Sequence, residues 1–155
     1  MSDENTQYIS AEKLQTLKDE YKELREVRTR DLAKRIDDAR QMGDLSENAE
    51  YHAAREELSW VQSRIKELEF IIQNAQVIAS GSGAKNISIG ARIVVRVNGK
   101  EKEYAIVGAQ EADPAAGKIS NESPLGLSFL GKKKGDKVSV SVPAGVQEYE
   151  ILEIK

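Results

Sequence analysis

Apolar residues recur at alternating spacings of three and four along two long segments of the chain. Leu14, Leu17, Tyr21, Leu24, Leu32, Ile36 and Ala39 form one stripe; Tyr51, Ala54, Leu58, Val61, Ile65, Leu68, Ile72 and Ala75 form the other. This period predicts two amphipathic helices with a narrow apolar seam. Paired outward from the intervening turn, the residue numbers of Ala39 with Tyr51, Ile36 with Ala54 and Leu32 with Leu58 share one constant sum. From Leu24 with Ile65 to Leu14 with Ala75 the sum is again constant, but smaller by one. A constant sum is what an antiparallel helical hairpin requires, because each step away from the turn on one arm is matched by a step on the other. The slip falls near Val27 and Arg28, where the first stripe is expected to lose its register.

Ser10 is a good N-cap for the first helix, with Ile9 before it as an apolar staple. That helix is expected to run to about Met42, where Gly43 stands in the usual glycine position after a helix. The second is expected to begin within Asp44 to Ser46 and end near Ile78. Some 30 residues per arm, at ~1.5 Å each, make a rod of about 45–50 Å. Ser80-Gly81-Ser82-Gly83 then separates a helical period from a strand period. Beyond it, Ala91 to Val97 and Lys102 to Val107 flank Asn98-Gly99, the strongest short hairpin signal. Lys118 to Ser120 reads as a short strand after a turn at Pro114 to Gly117. Ser123 and Pro124 open a brief helix as cap and first residue, and Gly131 to Gly135 closes that segment. Val138 to Val142 and Gln147 to Ile154 form a last hairpin about Pro143-Ala144-Gly145. The expected architecture is α+β: a long N-terminal coiled-coil hairpin over 1–79, a linker at 80–84, and a small β-rich, barrel-like domain over 85–155.

Charge narrows the choice of partner. Residues 1–79 carry 12 Lys+Arg against 17 Asp+Glu, and residues 80–155 carry 11 against 9. Neither half has the basic balance of a stand-alone nucleic-acid binder, so a protein partner is favoured. Cysteine is absent, which excludes disulfides and thiolate metal sites and fits a reducing compartment. Met1 to Gln7 lacks the apolar run of a signal peptide, and no stretch approaches the ~18 apolar residues of a membrane span. A cytoplasmic protein without membrane contact is expected.

The turn between the arms concentrates the chemistry. Asp44, Glu47 and Glu50 place three carboxylates there, interleaved with Ser46 and Asn48. Carboxylate oxygens are hard ligands suited to Mg²⁺, and two of them leave most of an octahedral shell for a partner to fill. The same spacing also suits a plain structural role, in which Asp44 accepts from the third helical N–H and early acidic residues favour the helix dipole. Spacing leaves both readings open. His52, the only histidine, has no companions for a zinc site and reads as solvated. Arg40 and Arg55 flank the tip within three turns and are equally readable as RNA contacts or as ordinary surface charges. Lys132-Lys133-Lys134 is too short a run to mark a nucleic-acid site.

Gly43-Asp-Leu-Ser-Glu-Asn-Ala-Glu-Tyr51, extended through His52-Ala53-Ala54-Arg55, closely resembles the tip of the bacterial transcript cleavage factors, the Gre factors, and most closely the A-type. The resemblance covers almost the whole chain. Asn74 to Ile78 resembles that family's exit from the coiled coil. Ser123-Pro124-Leu125-Gly126, Leu130-Gly131-Lys132-Lys133 and Gly135-Asp136 resemble its C-terminal signature. The resemblance implies an FKBP-like C-terminal domain that docks on RNA polymerase through Ser123, Pro124, Leu125, Gly126, Gly131 and Lys132. It implies a hairpin that enters the polymerase secondary channel. Asp44 and Glu47 would there be the catalytic pair, sharing a Mg²⁺ with polymerase and the nascent RNA 3′ end, so that backtracked RNA is hydrolysed. Ser46, Asn48, Glu50 and Tyr51 would support the tip. The free factor would be a monomer without tightly held metal, a catalytic cofactor rather than an enzyme. Two positions depart from the family pattern: Leu127 stands where arginine is usual, and Ser46 where some members carry lysine or arginine. The competing readings are a secondary-channel regulator that does not promote cleavage, which an altered acidic tip would favour, and a chaperone-like or scaffold hairpin, which exposed apolar residues along the rod would favour.

Overall fold

The computed structural model describes residues 4–78 and 85–155. It divides into two compact units, one of Leu14–Asn74 and the other joining the N-terminal residues through Lys13 to Ala75–Lys155. This partition differs from a boundary drawn at the Gly-Ser linker, which lies outside the described residues. Three short segments account for the difference. Strand β1 (Gln7–Ile9) pairs in parallel with β2 (Ala75–Val77), Gln7 opposite Ala75 and Ile9 opposite Val77. Ile9 is fully buried, and the following Ile78 N–H donates to its carbonyl. Gly108 completes the contact: a Cβ there would lie 1.5 Å from the Tyr8 carbonyl oxygen, so no larger residue fits without displacing β1.

Helix α1 (Ala11–Glu23) is capped by Ser10 as the sequence predicts, with Lys13 N–H donating to Ser10 Oγ at 3.1 Å. Glu111, a hundred and one positions away, holds that cap: its carboxylate accepts from Ser10 N at 3.0 Å and from the Ser10 hydroxyl at 2.6 Å. The hydroxyl therefore accepts from the helix and donates to the carboxylate at once. No local pattern announces Glu111, because its partner is not a sequence neighbour.

In the helical unit α1 continues through a π-helical turn, Leu24–Arg28, into α2 (Thr29–Arg40). A π turn holds more residues than an α turn. It absorbs the one residue by which the first arm exceeds the second between Leu24 and Leu32, so the expected slip near Val27 and Arg28 is a local widening of the helix. Thr29 stabilises it, donating from both N–H and hydroxyl to the Leu24 carbonyl. Helix α3 (Ala49–Gln73) returns antiparallel. Cross-arm pairs fix the direction: Arg64 with Glu20 at 2.7 Å, the Tyr21 hydroxyl with Glu69 at 3.0 Å, and Glu57 with both Arg28 and Arg35. Being partly open to solvent, such pairs set register more than stability.

Leu17, Leu32, Ile36, Ala39, Tyr51, Ala54, Val61 and Leu68 are buried as the stripes predict. Ile71 is buried in place of Ile72, which is only half-buried. The boundaries also differ from expectation. The first arm stops at Arg40 rather than Met42, and Gly43, at φ +124°, belongs to the connecting loop. The second begins at Ala49, after a 3₁₀ turn at Leu45–Glu47, and gives way to β2 after Gln73, so that Ala75 is in a strand.

The C-terminal sheet runs in the order β5-β4-β3-β7-β6: β3 (Arg92–Val97), β4 (Lys100–Val107), β5 (Lys118–Ser120), β6 (Lys137–Val142) and β7 (Gly145–Ile154). β4 and β5 pair in parallel; the other neighbours are antiparallel. Asn98 and Gly99, both at positive φ, make the two-residue turn between β3 and β4. Ile93, Val95 and Val97 alternate inward, as a half-buried strand requires. Helix α4 (Pro124–Phe129) packs against both edge strands, β5 and β6, and puts Phe129 at the centre of the core between Tyr104 and Tyr149. The α+β class stands: a helical hairpin and a β-rich unit.

Candidate functional site

The loop from Gln41 to Asn48 joins the arms and carries Asp44 and Glu47, while Glu50 lies in the first turn of α3. Asp44 starts a tight local turn, its Oδ1 accepting from Ser46 N–H at 3.0 Å and from the Ser46 hydroxyl at 2.9 Å. The backbone bond to Ser46, and secondly the hydroxyl bond, hold the Asp44 carboxyl below the usual carboxylate range. Its charge is therefore lost only as pH falls through that lowered value, and at neutral pH Asp44 is an exposed, oriented anion. Glu47 ends the 3₁₀ turn and is exposed as well.

Capping of the second helix belongs to a different residue from the one the spacing suggested. Asp44 does not reach the third helical N–H. Asn48 is the cap: its backbone is extended and its Oδ1 accepts from Tyr51 N–H at 3.1 Å. Its Nδ2 donates across the hairpin to the Ala39 carbonyl at 2.7 Å. Asp44 is thus relieved of the structural duty that competed with a chemical one.

Behind the loop Tyr51 is buried against Ile36, Ala39 and Ala54. Arg40 and Arg55, one from each arm, lie over its ring at 6.0 and 5.6 Å from the centroid, and Arg55 donates to the phenolic oxygen at 3.3 Å. The hydrogen bond to Arg40, and then the influence of Arg55, lower the Tyr51 pKa against the opposing effect of burial. His52 is exposed, edge-on to Tyr51 at 5.5 Å. Glu50 pairs with Arg35 at 3.6 Å. Among the described residues no three His, Cys, Asp or Glu side chains are grouped so as to hold a metal ion. What the loop presents is Asp44 and Glu47, two hard carboxylate donors that fit a Mg²⁺ ion only as part of its shell.

Ser46→Ala deletes the hydroxyl bond to Asp44 and keeps the backbone bond, which is the larger influence. The Asp44 carboxyl is then expected to titrate closer to the ordinary range while remaining below it. Titration of the side-chain carboxyl by NMR in both proteins checks this, and coincident curves would show that the hydroxyl contributes nothing.

Residues 7–77 match the family described as transcription elongation factor, N-terminal, and residues 82–155 match transcription elongation factor, GreA/GreB, C-terminal. The chain belongs to the GreA/GreB family of transcription elongation factors. It is 42% identical over 158 residues to transcription elongation factor GreA of Bacillus cereus, and 43% identical over 158 residues to that of Shouchella clausii, with both chains fully covered in each case. Among solved structures, GreA factor homolog 1 of Thermus thermophilus is similar at 25% identity and a TM-score of 0.45, over 97% of this chain and 99% of that one. The residues taken from the GreA/GreB C-terminal signature gather around α4. Ser123 caps the helix, accepting from Gly126 N–H at 3.1 Å and donating to the Ser120 carbonyl at 2.7 Å. Gly126 is buried so closely that a Cβ would meet the Ser120 carbonyl oxygen at 2.0 Å. Gly131, at φ +80°, donates to the Ile87 carbonyl, and the Lys132 carbonyl accepts from Ile87 N–H. Pro124 and Leu125, with Ile119, Val140, Val142 and Pro143, line an open apolar groove of about 340 Å³. Much of this signature therefore builds the helix and its turn, while Leu127 is 60% exposed beside it.

Proposed function

We propose that this elongation factor acts at RNA polymerase by stimulating Mg²⁺-dependent endonucleolytic cleavage of the 3′ end of backtracked nascent RNA, which rescues arrested complexes. The observation that carries this reading is the exposed Asp44 carboxylate, oriented by Ser46 at the hairpin turn, with Glu47 in the same turn and helix capping assigned to Asn48. The C-terminal unit docks on polymerase through the α4 region, and the hairpin enters the secondary channel. Asp44 and Glu47 would hold the shared ion, whose remaining ligands come from polymerase and the RNA. Bound Mg²⁺ supplies charge stabilisation for the attacking and leaving oxygens of an in-line phosphoryl displacement. Ser46 fixes the direction of the Asp44 carboxylate. Tyr51 keeps Arg40 and Arg55 at the tip, where two cations attract an anionic RNA backbone. Without polymerase the carboxylates have no reaction to assist, which makes the protein a catalytic cofactor rather than an enzyme. No helix of the described residues is long and apolar enough to cross a membrane. Action at RNA polymerase implies a cytoplasmic location. The test is transcript release from artificially stalled, backtracked complexes, with and without the protein. Rapid appearance of short 3′ fragments and of extendable RNA supports the reading. Cleavage no faster than that of polymerase alone, with binding intact, would leave a non-cleaving regulator.

A further inference from the structure

We infer that Asn48 is a positioning residue, which closes the loop bearing Asp44 and Glu47 by clamping the start of α3 to the end of α2; this rests on the cleavage reading above. One amide does both jobs. Oδ1 takes the Tyr51 N–H at 3.1 Å, and Nδ2 gives a hydrogen bond to the Ala39 carbonyl at 2.7 Å. The orientation of the amide is forced, since only its oxygen accepts an N–H and only its nitrogen donates to a carbonyl. Ala39 is buried in the seam and its carbonyl also accepts from Met42 N–H, so the anchor on α2 is fixed on two sides. The segment between Ala39 and Asn48 is thereby held at both ends by one side chain. Within it the Asp44–Ser46 bonds set the carboxylate locally, and the clamp sets where that turn sits on the hairpin.

The chemistry admits few substitutes. Asp and Ser cap helices about as well as Asn. A carboxylate, however, has no donor for Ala39 and brings one oxygen against another, while the serine hydroxyl is one bond shorter than the asparagine amide nitrogen and falls short of the Ala39 carbonyl. Asn48→Asp and Asn48→Ser therefore remove the clamp and keep the cap, one adding a charge and the other none.

The full-length variants are measured beside Asp44→Asn for helix content, for competition with the intact protein at polymerase, for cleavage in backtracked complexes, and for amide exchange of Ser46 in the free protein. Both Asn48 variants are expected to keep helicity and competition, to lose cleavage about 100-fold, as misplacement by an ångström can cause, and to exchange the Ser46 amide about fivefold faster. Normal cleavage by both, in the assay where Asp44→Asn is inactive, overturns the clamp. Loss of helicity in both also overturns it, since Asn48 would then be only a structural cap. Should the intact protein give no cleavage above that of polymerase alone, the cleavage reading falls; should Asp44→Asn cleave normally, the metal role of Asp44 falls; in either case the exchange rate decides the clamp alone: unchanged Ser46 exchange refutes it and faster exchange upholds it.

Discussion

Asp44→Asn and Glu47→Gln are each expected to reduce stimulated RNA cleavage about 100-fold or more, equivalent to ~2.7 kcal/mol of transition-state stabilisation, while leaving helix content and thermal midpoint nearly unchanged. The separation is clean because neither residue caps α3; Asn48 does. Asparagine at 44 also retains an oxygen for the Ser46 N–H and hydroxyl, so the local turn survives the loss of charge. Cleavage assays and thermal melts on the same preparations check both halves. Normal cleavage by both variants at limiting Mg²⁺ would remove the metal role, and loss of ordered structure would return these residues to a purely architectural one.

Shortening the hairpin without touching its tip should be equally severe. Excising Leu17–Glu23 together with Lys66–Ile72 removes one heptad from each arm on the root side of the π turn. Leu24 still stands opposite Ile65 in register, and the tip cluster of Ile36, Ala39, Tyr51 and Ala54 is intact. The arms lose about 10 Å at ~1.5 Å per residue. Paired catalytic ions sit only ~3.5–4 Å apart, so a tip displaced by that much cannot share a phosphate with the metal of polymerase. The shortened protein is expected to remain helical, to compete with the intact factor for polymerase, and to give no cleavage above background. Full activity would show that the tip does not act by direct delivery.

The pairing of the arms was legible in the sequence because an antiparallel seam constrains residue numbers, and even the π turn was visible as a discrepancy of one. The Asn98-Gly99 turn and the Ser123-Pro124 helix start were legible for a local reason, since each needs backbone geometry or a cap that few residues supply. The pairing of β1 with β2 was not. Three-residue strands are too short for alternation to register, and the residues that fix them, Gly108 and Glu111, act across about a hundred positions. At the tip the spacing pointed to Asp44 as the cap, whereas the cap is Asn48, four positions further on. The 3₁₀ turn at Leu45–Glu47 decides, because it uses the residues between and leaves Asn48 at the helix start. Residues alone left metal binding and capping as rivals for Asp44; the observed bonds assign the cap elsewhere and leave Asp44 exposed.

The central claim is that the tip contributes ligands to a Mg²⁺ ion shared with polymerase. Its most direct test is the Mg²⁺ dependence of cleavage in backtracked complexes saturated with either the intact protein or Asp44→Asn. The intact protein should lower the Mg²⁺ concentration needed for half-maximal cleavage relative to polymerase alone, and Asp44→Asn should move it back toward the polymerase value, with partial recovery of rate at high Mg²⁺. Superimposable Mg²⁺ curves for the two proteins, differing only in amplitude or not at all, would contradict the account.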